Sequence, residues 1–379
     1  MRLAVTSHSK MLKTYPRLTP LLLMAAFVLT TPAVGTSVYA QDQGINRPGK
    51  EEPAPKVVRI PRPPAPPEPP GPDAAPVARI HPKAFNTQEK AIAVRPEVHV
   101  TVCVRRGAVK VNGWDRKEVR VFQAGGNGLE FKVRERDKEK KPSWVEVLGY
   151  ESSAAPTRRD PCVTGETIEI DVPYGASVAI KGLSSETSVD GIRKAAVEIV
   201  GGDIYLNKIT DLIDASTKQG GVTVNNSKGR MAVETTTGNI VAFNTESVEA
   251  GDYFKAKTRS GSITMQSIGQ KEIAASTISG SINYIGTIEN YGRYEFTTTN
   301  GLLNIVLPED TCFALVAVYG GRFISDFPVD VITEDKSESA FLLRGKVGEC
   351  EANLSLKSFS GTIRLRKRGS AESTIVVVP

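Results

Sequence analysis

The sequence predicts an all-β protein: a single-chain parallel β-solenoid of about 20-residue coils with an N-terminal β cap region. Three observations carry that prediction. Glycine recurs through the middle of the chain at near-constant spacing, apolar residues alternate on both sides of each glycine, and no proline occurs from 174 to 307 although the chain holds 24.

The elements follow in chain order. Residues 1–40 read as a secretory signal peptide. Lys10, Lys13 and Arg17 form a basic start, an apolar run spans 21–29, and Val38-Tyr39-Ala40 places small residues ahead of a cleavage site before Gln41. The apolar run is shorter than the ~20 residues that span a bilayer. Translation from Met11 would give a 30-residue signal. Export removes four cations and no acid. The balance of 48 Lys and Arg against 42 Asp and Glu then becomes 44 against 42, which withdraws the argument for a nucleic-acid partner.

Residues 41–90 read as a Pro-rich tether, because 13 of the prolines lie between Pro48 and Pro82. Proline has no backbone donor and a fixed φ, so such a run favours extended polyproline II over a packed core. Residues 91–172 form an N-terminal β region, in which Val102, Val104, Gly107, Val109 and Val111 already show the alternation found downstream. The mixed-charge run from Arg134 to Lys141 reads as a solvated loop or part of a cap.

The repeats occupy 173–307. Their anchors are Gly202, Gly220, Gly238, Gly261, Gly280 and Gly301, spaced 18, 18, 23, 19 and 21 residues apart. Two residues after each anchor stand Ile204, Val222, Ile240, Ile263, Ile282 and Leu303; four after stand Leu206, Val224, Ala242, Met265, Tyr284 and Ile305. Five before are Val197, Ala215, Val233, Ala256, Ala275 and Phe296, and three before are Ile199, Thr217, Thr235, Thr258, Thr277 and Thr298. Side chains two apart share one face of a strand, so each unit is strand, glycine corner, strand. One unit cannot bury its apolar face alone, and stacked units share one core. The outward pairs Asp203/Tyr205, Gly221/Thr223, Asn239/Val241, Ser262/Thr264, Ser281/Asn283 and Leu302/Asn304 are mostly small and uncharged. The 23-residue unit carries its excess near Glu246 to Asp252, read as a protruding loop. Residues 308–379 form C-terminal coils and a cap. There Gly361, 60 residues after Gly301, marks the position of about three further coils.

Cys103, Cys162, Cys312 and Cys350 all lie in the exported part, and their even number points to disulfides. Of three possible pairings, sequence proximity favours Cys103–Cys162 and Cys312–Cys350; buried free thiols are the alternative.

The stretch from Gly107 to Val121 (GAVKVNGWDRKEVRV), the repeated Thr-x-[Ser/Thr/Asn]-Gly-x-Ile units, Ile324–Val329 and the closing Ser360–Leu365 together resemble the bacterial putative-adhesin domain family, exported β-solenoids of unknown function related to head-domain autotransporter-like adhesins. The similarity covers roughly residues 95–368. It implies an envelope or surface protein in the periplasm or outside the cell.

Catalytic motifs are lacking: the sequence has no nucleophile elbow, HExxH, phosphate loop or dinucleotide fingerprint. No cofactor or metal site is expected. Besides His8, the histidines are His81 in the tether and His99 on an expected strand. The only candidate cluster for chemistry is Asp203, Asp211 and Asp214 with Lys181 and Lys208. The expected function is therefore a non-enzymatic, adhesin-like envelope module, with a polysaccharide or protein of the envelope as partner. The alternatives are a polysaccharide-processing lyase or glycosidase, and a scaffold assembling end to end. Arg364, Arg366, Lys367 and Arg368 on the last rung read as edge charges that discourage strand pairing.

Overall fold

The computed structural model describes residues 87–126, 128–134, 141–150, 162–337 and 340–369, all within one compact unit. The signal peptide, most of the tether and most of the Arg134–Lys141 run fall outside the described residues. The strand Thr87–Ala93 starts inside the stretch expected as tether.

Among the described residues every regular element is a strand, and the strands form two long ladders. In the central coils an eight-residue strand such as Leu212–Gln219 or Tyr253–Ser260 is followed at a glycine corner by a shorter one such as Val222–Asn225 or Ile263–Ile268. The eight-residue strands stack in parallel as sheet A and the shorter ones as sheet B. Each of the four columns expected to point inward does so, from Val197 to Phe296 and from Ile204 to Leu303. A fifth buried column, Ala195, Ile213, Met231, Phe254, Ile273 and Tyr294, fills the far end of sheet A. Toward the C-terminus the core becomes aromatic, with the Tyr284 ring 5.2 Å from Phe296 and 6.5 Å from Tyr294.

The expectation of a purely parallel solenoid is corrected at both ends, where the sheet is mixed. At the N-terminal end the 16-residue strand His99–Trp114 bends at Gly107 and contributes to both ladders. It lies between the coil that follows the repeat order, Ser177–Ser184 with Thr187–Asp190, and an outer coil made later in sequence by Trp144–Tyr150 and Val163–Pro173. Antiparallel strands then cover this end: Gly128–Arg134 on Trp144–Tyr150, Glu118–Ala124 on Val163–Pro173, and Thr87–Ala93 outermost.

The C-terminal end repeats the device. Asn353–Ser358 and Ile363–Lys367 insert between the coil Arg293–Asn300/Leu303–Leu307 and the coil Phe313–Tyr319/Phe323–Ser325. The antiparallel pair Asp330–Lys336 and Phe341–Val347 caps the outside. Gly361 is thus not three coils beyond Gly301 but one: a Cβ built on it would meet the Gly301 carbonyl oxygen at 1.7 Å. The 59 residues between the two glycines contain the outer coil and its cap, closed before the chain returns to fill the gap.

Disulfides join these interleaved pieces. Cys103 on the inserted N-terminal strand pairs with Cys162, just before the outer coil's strand Val163–Pro173, and Cys312 beside the outer C-terminal coil pairs with Cys350, just before the inserted one.

Two kinds of corner recur. At the first, Gly220, Gly238, Gly261 and Gly280 have φ of 144–153°, and a Cβ on any of them would lie 2.0 Å from a carbonyl oxygen of the preceding coil's glycine. Only glycine permits both the dihedral and the approach. The second corner is left-handed, with φ near 50° at Lys208, Asn226, Asn244 and Ser267, one per coil. Asparagine tolerates that region better than most residues. The 23-residue coil carries its extra residues outside this corner, in a loop where the Asp252 carboxylate accepts the backbone N–H groups of Val248 (2.7 Å) and Glu249 (2.8 Å).

Candidate functional site: the two outer faces

The solenoid offers two outward faces of opposite character, both positioned by strand alternation. On sheet A, the outward positions of the five coils anchored from Gly220 to Gly301 carry Asp214, Lys218, Glu234, Lys255, Lys257, Arg259 and Glu295, interspersed with Ala232, Ala274, Ser216 and Ser276. The small residues leave a shallow furrow. One depression of about 540 Å³ spans Asp214 to Glu295, and a second of about 490 Å³, sharing Ser216 and Glu234, continues to the Cys103–Cys162 disulfide. Three ion pairs join neighbouring coils on this face: Lys181 to Glu198 (3.2 Å), Lys257 to Glu234 (3.0 Å) and Lys255 to Glu272 (3.5 Å). Each exposed pair contributes little, on the order of 0.2–1 kcal/mol.

Sheet B differs. The same five coils place three residues each on its outer face: Gly221, Thr223 and Asn225; Asn239, Val241 and Phe243; Ser262, Thr264 and Gln266; Ser281, Asn283 and Ile285; Leu302, Asn304 and Val306. None is charged. The charges return at the flanks, with Asp203 on one side and Arg364 and Arg366 on the other. The Asp203 carboxylate accepts the Gly221 N–H at 2.7 Å, and the Asn239 side-chain oxygen accepts the Ser262 N–H at 2.9 Å and its hydroxyl at 3.0 Å. The side chains of Thr223, Asn225, Thr264, Gln266, Ser281, Asn283 and Asn304 have no partner among the described residues. Beside Asp203, the Tyr205 phenol is pushed above its ordinary range, first by burial and then by the nearby carboxylates of Asp203 and Glu186.

The cluster singled out in the sequence is dispersed. Asp203 caps a sheet B corner, and Asp211 sits at another corner against Arg193 (3.3 Å) and Lys194 (3.2 Å). Asp214 and Lys181 face outward on sheet A, Lys181 on Glu198, while Lys208 occupies a left-handed corner. His99 opens the inserted N-terminal strand, where burial lowers its pKa. Among the described residues no group of three or more His, Cys, Asp or Glu is placed to hold a metal ion, and no helix is long and apolar enough to cross a membrane.

Sequence reasoning missed the third outward column of sheet B, Asn225, Phe243, Gln266, Ile285 and Val306. Counting the alternation two residues further past each glycine would have found it. Phe243 joins Tyr205 as a second aromatic on this face.

The family model for Toastrack DUF4097 matches residues 105–366. The chain belongs to the Toastrack DUF4097 family. Three solved structures are similar to this Toastrack chain. A putative cell adhesion protein from Clostridium sporogenes ATCC 15579 is 9% identical over 74% of this chain and 100% of its own, with a TM-score of 0.22. A putative adhesin from Bacteroides fragilis NCTC 9343 is 14% identical over 58% and 96%, with a TM-score of 0.37. A putative adhesin from Parabacteroides distasonis ATCC 8503 is 12% identical over 74% and 98%, with a TM-score of 0.36. No curated protein matched the chain.

Proposed function

We propose that this Toastrack chain is an exported, non-enzymatic interaction module of the bacterial envelope or surface, and that it works by displaying the outer face of sheet B. The observation that carries the reading is the run of fifteen outward positions without a charge, in a chain whose residues are 24% charged. A face meant for water has no reason to exclude Lys and Glu. A face meant to be covered does, because burying a charge without a partner is costly and interface cores are depleted of charge. Two disulfides support an oxidising compartment. Catalysis on the sheet A furrow fits less well, since Glu234 is held by Lys257 rather than standing ready as an acid or base. Stacking of coils end to end fits less well too, because antiparallel strands cover the terminal coils.

The test is retention of isolated bacterial envelope on the immobilised full chain. Thr264→Glu and Asn283→Asp, each adding one charge to sheet B, are expected to reduce retention about tenfold or more, whereas Lys257→Glu on sheet A leaves it unchanged. Equal retention by all three variants would remove sheet B from the function.

A further inference from the structure

We propose that the sheet B face binds a neutral polysaccharide, laid along the solenoid axis with one sugar ring on each of the five coils whose outer sheet B residues carry no charge. This inference rests on the reading of sheet B as the binding face and names the chemistry of its partner.

The argument begins with spacing. Stacked coils rise by ~4.8 Å, close to the length of one pyranose ring in an extended chain. The five coils hold this rise without a slip, since their shorter strands pair residue for residue from Val222 through Ile240, Ile263 and Ile282 to Leu303. The extra residues of the 23-residue coil do not disturb it, because they loop out at residues 246–252, beyond the sheet B strand Ile240–Thr245.

Chemistry points the same way. A sugar hydroxyl both donates and accepts, and hydroxyl and amide side chains answer it in both directions, whereas Lys, Arg and carboxylates each offer one. Thr223, Thr264, Asn283 and Asn304 stand in one column of such groups, interrupted by Val241 between the first two, and have no partners among the described residues. Beside it Phe243, Ile285 and Val306, with Gln266 between the first two, give half-buried apolar patches for the C–H face of a ring. A protein partner would call for large aromatic or Arg anchors seated in pockets, and this face offers mainly amides and hydroxyls. An acidic polymer would seek cations, which on sheet B lie only beyond these five coils, at Arg364 on one side and Lys110 on the other.

Calorimetry on the full chain tests this with uncharged oligosaccharides of β-1,4-glucose, β-1,4-N-acetylglucosamine and β-1,3-glucose in a length series from disaccharide to octasaccharide, and with hexagalacturonate as the charged comparison. At least one neutral probe is expected to bind, with affinity rising with length up to about five sugars and flattening beyond. Asn283→Asp and Phe243→Ala should each weaken it about tenfold, with Lys257→Glu neutral and hexagalacturonate unbound. Failure of every neutral probe, or neutral binding indifferent to Asn283→Asp, overturns the inference. If envelope retention still depends on sheet B in that case, the interaction module stands and its partner is a protein. If retention ignores sheet B as well, both fall together.

Discussion

Threonine stands three residues before five successive anchor glycines, and each does the same work. The hydroxyls of Thr217, Thr235, Thr258, Thr277 and Thr298 donate to the carbonyls of Gly202, Gly220, Gly238, Gly261 and Gly280, one coil back, at 2.8–3.2 Å. Ser358 does so to Gly301 at 3.1 Å. A threonine there fills the core with its methyl while its hydroxyl satisfies a carbonyl that the tight corner turns inward. Thr258→Val keeps the shape and strands the Gly238 carbonyl, so it should destabilise by about 2 kcal/mol. Thr258→Ser loses only a methyl and should cost about 1 kcal/mol. Urea titration of both variants checks the order; a valine no worse than the serine would show that the hydroxyl contributes nothing.

At the scale of elements, the interleaved ends matter most. Each terminal coil is flanked by chain distant in sequence, and its disulfide closes a loop of 59 residues at the N-terminal end and 38 at the C-terminal end. Such loops give each bridge about 4 kcal/mol through the entropy of the unfolded chain. In a stack where each coil contacts only its neighbours, the loss should stay local. Cys312→Ala with Cys350→Ala is therefore expected to speed amide exchange in residues 310–367 while leaving residues 194–285 protected. Uniform loss of protection would contradict the nearest-neighbour picture. The strands themselves were legible from period-two alternation, including Val102–Val111 and Leu356–Leu365 at the two ends. Their order in space was not, because coils with the same pattern dock equally well in any order. Gly361 carries the same local signature whether it stacks one or three coils beyond Gly301.

Gln270 shows what else escaped the sequence. It is buried, its Nε2 donates to the Gly229 carbonyl (3.0 Å) and the Glu246 carbonyl (3.1 Å), and its Oε1 accepts from the Thr245 hydroxyl (2.7 Å). It closes the corner opened by the extra residues of the preceding coil. A lone glutamine after a glycine gives no hint of that, since its three partners come from two other coils.

For the whole molecule, stability is a sum over coils and the contacts between neighbours, so one damaged coil in the middle should divide it. Gly261→Ala combines a φ of 151° with a Cβ 2.0 Å from the Gly238 carbonyl oxygen. It is expected to cost more than about 3 kcal/mol and to split a single denaturation transition into two, one for each capped half. Gly251→Ala, with φ of 92° but nothing within 4 Å of an added Cβ, should cost about 1–2 kcal/mol and leave one transition. Calorimetric scans of the two variants separate the cases.

The sequence by itself determined the coil: which residues point inward, where the backbone must be glycine and that the repeats must stack. Local sterics and strand alternation fix these within one turn of chain. Tertiary structure decided how the ends close and which coil lies beside which. Those outcomes depend on residues 17 to 78 positions apart meeting across neighbouring coils, and no local rule encodes such meetings.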